Sequence, residues 1–155
     1  MSLPAQELRT FFVTSVTIGR KNLLQSERMA LLLIDVFNDN RRKGRFFLHE
    51  FVIMPDHFHL LITPAEEVSL EKAVQYVKGG FSFRAGRELE LKSDVWQKGF
   101  TNHRVHSPED YQRHRAYIRE NPVTRGLSPS PELFAYSSAN PRVERDAAPP
   151  WLKPR

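Results

Sequence analysis

Apolar positions recur along the chain with two different periods, and each change of period is marked by a cap, a turn or a proline. Thr10 to Ile18 (TFFVTSVTI) is β-branched and aromatic and reads as a strand, closed by Gly19-Arg20-Lys21-Asn22. From Glu27 to Arg42, with Ser26 as cap, Ala30, Leu31, Ile34 and Phe37 recur at three- and four-residue spacing, with Leu33 and Val36 beside them, which predicts a helix. Arg41-Arg42-Lys43-Gly44 closes it with cations and a glycine, as the helix dipole favours. Two strands follow, Arg45 to Met54 and His57 to Thr63, joined by a Pro55-Asp56 turn. Ser69 caps a second helix running to about Leu91, and Trp96 to Val105 reads as a further extended segment. A third helix spans Pro108 to Asn121, with Ser107 as cap, Pro108 in the first helical position and Pro122 as its stop.

The order β-α-β-β-α-β plus a final helix predicts an α+β chain with a ferredoxin-like, split antiparallel sheet. In that arrangement helices cover one face and leave the other free for ligands. Beyond Gly126 the character changes. Six of the eleven prolines lie there, so residues 1–127 read as the domain and 128–155 as a loosely packed tail, anchored at most around Phe134 to Tyr136.

A chain of 155 residues suffices for one domain with a real core. Its longest apolar stretch, Met29 to Val36, is interrupted by Asp35 and is far short of a membrane span. The N-terminus does not resemble a signal peptide, and the absence of cysteine removes disulfide and thiolate chemistry; both point to the cytoplasm. A net charge of +5 and a pI of about 9.7 make a polyanion the natural partner.

Chemistry enters at MPDHFHLLI, residues 54–62. Side chains two apart on a strand share a face, so His57 and His59 stand side by side while Phe58 turns into the core. Far downstream Tyr117 and Asn121 are four residues apart on one helical face, with His114 one turn before. A metal on His57, His59 and the Asn121 carboxamide oxygen would polarise a phosphate while Tyr117 attacks phosphorus in line. A phosphotyrosine ester conserves the energy of the broken phosphodiester, so a strand can be rejoined without ATP. An isolated His-x-His is more often structural; the tyrosine–asparagine helix is what turns it into a candidate site. His49, His103 and His106 read as surface or hydrogen-bonded residues, and Tyr76, Tyr111 and Tyr136 as packing aromatics. Gly79-Gly80 admits two readings, close helix packing or close approach of DNA.

These residues carry a resemblance. MPDHFHLLI, Val77-Lys78-Gly79-Gly80-Phe81-Ser82, Val95-Trp96-Gln97-Lys98-Gly99-Phe100, Tyr117-Ile118-Arg119-Glu120-Asn121-Pro122-Val123 with Gly126-Leu127, and Tyr136-Ser137-Ser138 resemble, in order, the REP-associated tyrosine transposases. These belong to the single-tyrosine, His-hydrophobic-His superfamily. The resemblance implies a ferredoxin-like nuclease acting on single-stranded DNA hairpins of palindromic repeats through a 5′-phosphotyrosine. It implies Tyr117 as nucleophile and His57, His59 and Asn121 as ligands of one divalent ion, Mg2+ or Mn2+. It also implies a bacterial, nucleoid-associated protein acting as a monomer rather than a homodimer. Lys78, Arg84, Lys98, Arg104 and His114 are the candidate DNA contacts. Arg115 and Arg119 depart from the family pattern, which usually has an apolar residue and often a histidine there. A non-catalytic single-stranded nucleic-acid-binding module and a metal hydrolase with an activated water are the competing expectations.

Overall fold

The structure, a computed structural model, describes residues 8–153. All three predicted helix caps form. Ser26 Oγ accepts from the Met29 N–H (3.2 Å) at the head of α1 (Glu27–Arg42). Ser69 Oγ accepts from the Lys72 N–H (3.1 Å) to open α2 (Leu70–Glu88), and Ser107 Oγ from the Asp110 N–H (3.1 Å) to open α3 (Pro108–Thr124). The strands are β1 (Thr10–Val16), β2 (Phe46–Met54), β3 (His57–Pro64) and β4 (Thr101–Val105).

Two helix ends and one strand differ from the expected boundaries. α2 stops before Leu91 because Glu90 adopts φ +57° and both the Leu89 and Leu91 N–H groups turn back to the Ala85 carbonyl. α3 runs through Pro122. A proline in the last turn removes a single intrahelical donor, and the chain beyond still finds acceptors: Arg125 N–H on Asn121 O, Gly126 N–H on Val123 O and Leu127 N–H on Pro122 O. Gly126 then ends it at φ +72°. The extended segment before α3 is a strand only from Thr101; Trp96 makes an isolated bridge to Thr17.

The sheet is antiparallel, in the order β2-β3-β1-β4. Each helical crossover therefore skips one strand, which places α1 and α2 together on one face. Alternation does the rest: Phe58, Leu60 and Ile62 of β3 enter the core beneath these helices, with Phe51, Ile53 and Phe37. Gly80 belongs to this layer, since a Cβ there would sit 3.4 Å from Val36 of α1; close helix packing explains it.

The opposite face is not left free. Val52, Met54 and Leu61 point there, and α3 covers them with Tyr111 and Ile118. These apolar strand positions would otherwise face water, which is the physical reason a third helix docks. The segment after Gly126 packs more closely than its proline content suggests. Ile53 N–H donates to Tyr136 O (2.8 Å), Ser138 N–H to Phe51 O (2.9 Å) and Asp146 N–H to Leu48 O (2.7 Å), so the tail runs along the otherwise open edge of β2. Leu152 is buried against the α3 layer.

One charged cluster fastens α3 and the tail to the sheet. Glu50, fully buried on β2, is reached by Arg119 Nε (3.0 Å), Arg145 (3.3 Å) and Arg115 Nε (3.5 Å), and Ser138 Oγ donates to it at 2.7 Å. Arg115 and Arg119, the two departures from the family pattern, are thus a matched set for one internal carboxylate.

Candidate active site

β3 delivers the histidine pair to the face covered by α3. His57 and His59 are both buried and their rings meet edge to face, centroids 4.8 Å apart. Each ring is held through Nδ1. His57 Nδ1 lies 2.6 Å from Asp56 Oδ1, and Asp56 Oδ2 is in turn bridged by Arg20 (3.2 Å). His59 Nδ1 lies 2.7 Å from Thr14 Oγ1, on the residue directly opposite it in β1. Phe12, two residues before on β1, stacks on His59 at 5.1 Å.

α3 brings the downstream residues to the same place. The Tyr117 ring stands 5.3 Å from His59 and is 51% exposed, so its phenol is open to solvent beside the buried imidazoles. Asn121, one turn on, is buried. Tyr117 thus meets the histidine pair, and Asn121 follows it one turn later on the same helix, although α3 begins 49 positions after His59 in the chain. Two ligand-type atoms on these elements, His59 Nε2 and Asn121 Oδ1, are buried and have no hydrogen-bond partner among the described residues. Buried polar atoms are normally paired; of the six side-chain atoms among the described residues that are not, these two are the ones carried by the predicted ligands.

The electrostatics keep the imidazoles neutral. Burial, then the charges of His57 and Arg125, press the His59 pKa down from 6.5 to about 3. Burial also lowers that of His57; Asp56 opposes the shift, while Arg125 and Arg20 add to it. For Asp56, burial acts upward but is outweighed by His57 and Arg20, so the carboxyl stays below its ordinary range. A neutral imidazole is the form that can coordinate a cation.

The candidate DNA contacts fare differently. His114 lies against the site, its ring 4.7 Å from Phe12. Lys98 and Arg104 are exposed. Lys78 is occupied, donating to the Gln97 and Gly99 carbonyls (3.0 and 2.7 Å) and so tying α2 to the segment before β4. Arg84 lies on the other layer. It sits on the α1–α2 layer, away from the histidines, and is already neutralised by Asp35 and Glu88, both at 2.6 Å. Sequence reasoning also missed several neighbours of the site: Thr14, Phe12, Arg20, Arg125, and Asp56 in any role beyond the turn. Only Asp56, adjacent to His57, left a trace in the sequence.

A second group with ligand chemistry adjoins the first. His103, Asp110 and His114 have ligating atoms all within 4.8 Å of one another. One nitrogen of each ring is already bonded within the group: Asp110 takes His103 Nε2 at 2.8 Å, and His114 Nδ1 bonds the Asp110 carbonyl at 2.9 Å.

The geometry has its counterpart among known proteins. The family profile described as Transposase IS200 like matches residues 7–121, about three quarters of the chain. The chain belongs to this family. A REP-associated tyrosine transposase of Escherichia coli K12 is 27% identical over 142 residues, covering 90% of this chain and 81% of that protein. A provisionally named REP-associated tyrosine transposase of Haemophilus influenzae is 29% identical over 107 residues; the match spans 63% of this chain and 61% of the relative, under two thirds of its length. The solved structure of a REP-associated tyrosine transposase bound to a REP hairpin superposes with a TM-score of 0.70 at 24% identity, over 89% of this chain and 82% of that one. The last comparison establishes a shared fold: a four-stranded antiparallel sheet with helices on both faces. Among the described residues no helix is long and apolar enough to cross a membrane.

Proposed function

We propose that the chain is a metal-dependent transposase that cleaves and rejoins single-stranded DNA hairpins through a 5′-phosphotyrosine on Tyr117. The observation that carries this reading is the pair of buried atoms without a partner among the described residues, His59 Nε2 and Asn121 Oδ1, with a half-exposed phenol next to the His59 ring. Their chemistry fits a divalent cation: an imidazole nitrogen and an amide oxygen, with a second imidazole alongside. One divalent ion, magnesium or manganese, held by His57, His59 and Asn121 would supply Lewis acidity at a non-bridging phosphate oxygen. The His103–Asp110–His114 group is a weaker candidate, because one nitrogen of each of its rings is already bonded within the group.

The protein's own contribution is orientation. Asp56 accepts from His57 Nδ1–H, which leaves the Nε2 lone pair outward, and donation from His59 Nδ1 to Thr14 does the same for its neighbour. Arg125 and Arg20 add positive charge around the pair, favourable for an incoming phosphodiester. In cleavage the Tyr117 oxygen forms a bond to phosphorus and gives its proton to solvent, while the bond to the 3′ oxygen breaks and that oxygen takes a proton from solvent to leave as a 3′-hydroxyl. Rejoining is the reverse, with a 3′-hydroxyl attacking the phosphotyrosine. The reading extends to a monomeric, nucleoid-associated protein in a bacterial cytoplasm.

The test is incubation with single-stranded repeat hairpins and manganese, read on a denaturing gel. A covalent protein–DNA adduct is expected from the native chain and none from Tyr117→Phe, which should still bind DNA. An adduct that persists in Tyr117→Phe refutes the nucleophile. Cleavage without any covalent species would point to an activated water, and metal-independent binding alone to a non-catalytic module.

A further inference from the structure

Two cavities open on either side of Ala147 and Ala148, the first along the Tyr111–Arg115 flank of α3, the second between β2, β3 and the tail. The first is an open depression of about 790 Å³ whose walls include Glu50, Tyr111, Arg115, Glu144 and Arg145. Glu50 is reached by three guanidiniums and can neutralise one, while Glu144 and Asp146 on the same walls share Arg41, so these seven groups leave a surplus of one positive charge. The Tyr111 hydroxyl, on a residue almost wholly buried, has no hydrogen-bond partner in this wall. The second cavity, about 380 Å³, is apolar and aromatic; Phe47 is 50% exposed and Trp151 38%, with Lys153 at the rim. The partition between the cavities is held in place, because His49 Nδ1 bonds Ala147 O (2.7 Å) and Nε2 bonds Thr63 Oγ1 (2.8 Å).

We propose that the two cavities together form a subsite for one unpaired nucleotide of single-stranded DNA. Its phosphate lies against Arg115 and Arg145, and its base against Phe47 and Trp151. The inference rests on the function proposed above and adds to it a second contact point, along the Tyr111–Arg115 flank of the helix that carries Tyr117. The chemistry selects this occupant. Guanidiniums match a phosphate's oxygens, an exposed aromatic face stacks on any base, and here the two lie one short wall apart. A purely apolar partner would leave the surplus arginine charge unanswered.

The experiment is fluorescence anisotropy with a labelled hairpin, either bare or carrying unpaired flanking nucleotides, and with native protein, Phe47→Ala, Trp151→Ala, Trp151→Phe and Arg145→Gln. Phe47→Ala and Trp151→Ala should each weaken binding of the flanked oligonucleotide by roughly tenfold while leaving the bare hairpin unchanged. Trp151→Phe should restore most of the loss. Arg145→Gln should reduce the salt slope for the flanked oligonucleotide by about 0.7, the value for one single-strand phosphate contact. Thermal melts identify any variant that fails to fold; the two aromatics are exposed and their removal should not unfold the protein. Equal losses on both oligonucleotides, or none on either, overturn the subsite. So does a native dimer, seen by sedimentation, that Phe47→Ala converts to monomer, because the patch would then serve self-association. Adduct formation at Tyr117 separates the two ideas: an intact adduct with silent subsite variants refutes this inference alone. A native protein that neither binds the hairpin nor forms the adduct refutes both.

Discussion

Asn121→Leu should make the metal-free protein more stable and the metal-loaded protein comparatively less so. Asn121 is buried and its Oδ1 has no partner, so the folded state carries an uncompensated desolvation of about 1–3 kcal/mol at that atom. Leucine has the same γ-branched outline and no polar atom, and it is the better helix former by about half a kcal/mol. Its extra volume in a close-packed wall costs about 1 kcal/mol. The net expectation is a gain of about 1 kcal/mol in the presence of a chelator, or roughly 2–4 °C in Tm for a chain of this size. With manganese at about a hundred times its Kd, the native protein should gain about 2.7 kcal/mol from binding and the variant little or nothing. The order of stabilities therefore inverts. Urea unfolding followed by circular dichroism, with EDTA and with manganese, measures all four values. A variant at least 1 kcal/mol less stable than native in EDTA, or equal stabilisation of both proteins by manganese, refutes the claim that the Asn121 oxygen is kept unsatisfied for a ligand.

Glu50→Ala should cost about 3–5 kcal/mol, the scale for removing one partner from a buried ion cluster, because three guanidiniums then face one another. A drop of only a few degrees in Tm would mean that the cluster does not hold α3. Thr14→Val keeps the shape but removes the hydrogen bond to His59 Nδ1, and should lower manganese affinity by roughly 10- to 100-fold, read by titration of the free ion's paramagnetic resonance; unchanged affinity would show that Thr14 does not orient the ring. Stability in EDTA should fall as pH drops below 6.5. There the unfolded chain takes up protons at His49 and His59 that the folded chain refuses, in the case of His59 until about pH 3. The slope approaches about 1.4 kcal/mol per pH unit for each such histidine, and the stability is fully present above pH 7. Urea midpoints that stay level between pH 7.5 and 5 would contradict the burial of these rings.

Much of the local structure was legible in the sequence. Ser26, Ser69 and Ser107 announced three helix starts, because a hydroxyl at that position meets an unpaired N–H whatever surrounds it. The period-two alternation of β3 fixed His57 and His59 on one face and Phe58 on the other, and helical spacing put Tyr117 and Asn121 on one stripe. The helix ends were harder to read. Pro122 looked like a stop but lies in a last turn where a single missing donor is tolerated.

Long-range partners were not legible. Nothing near Glu50 in the chain indicates that residues 115, 119, 138 and 145 will meet it, so Arg115, in place of an apolar residue, and Arg119, in place of a histidine, read only as departures from the family pattern. Nor does the sequence indicate that Thr14 faces His59, which follows from β1 lying next to β3, or that the tail runs along β2. Short-range periodicity thus determined the elements and the faces on which the chemistry stands. Tertiary structure decided which faces meet, because burial of the second apolar sheet face drew α3 over the histidines and set a half-exposed phenol next to the buried His59 ring, whose Nε2 no other described residue hydrogen-bonds.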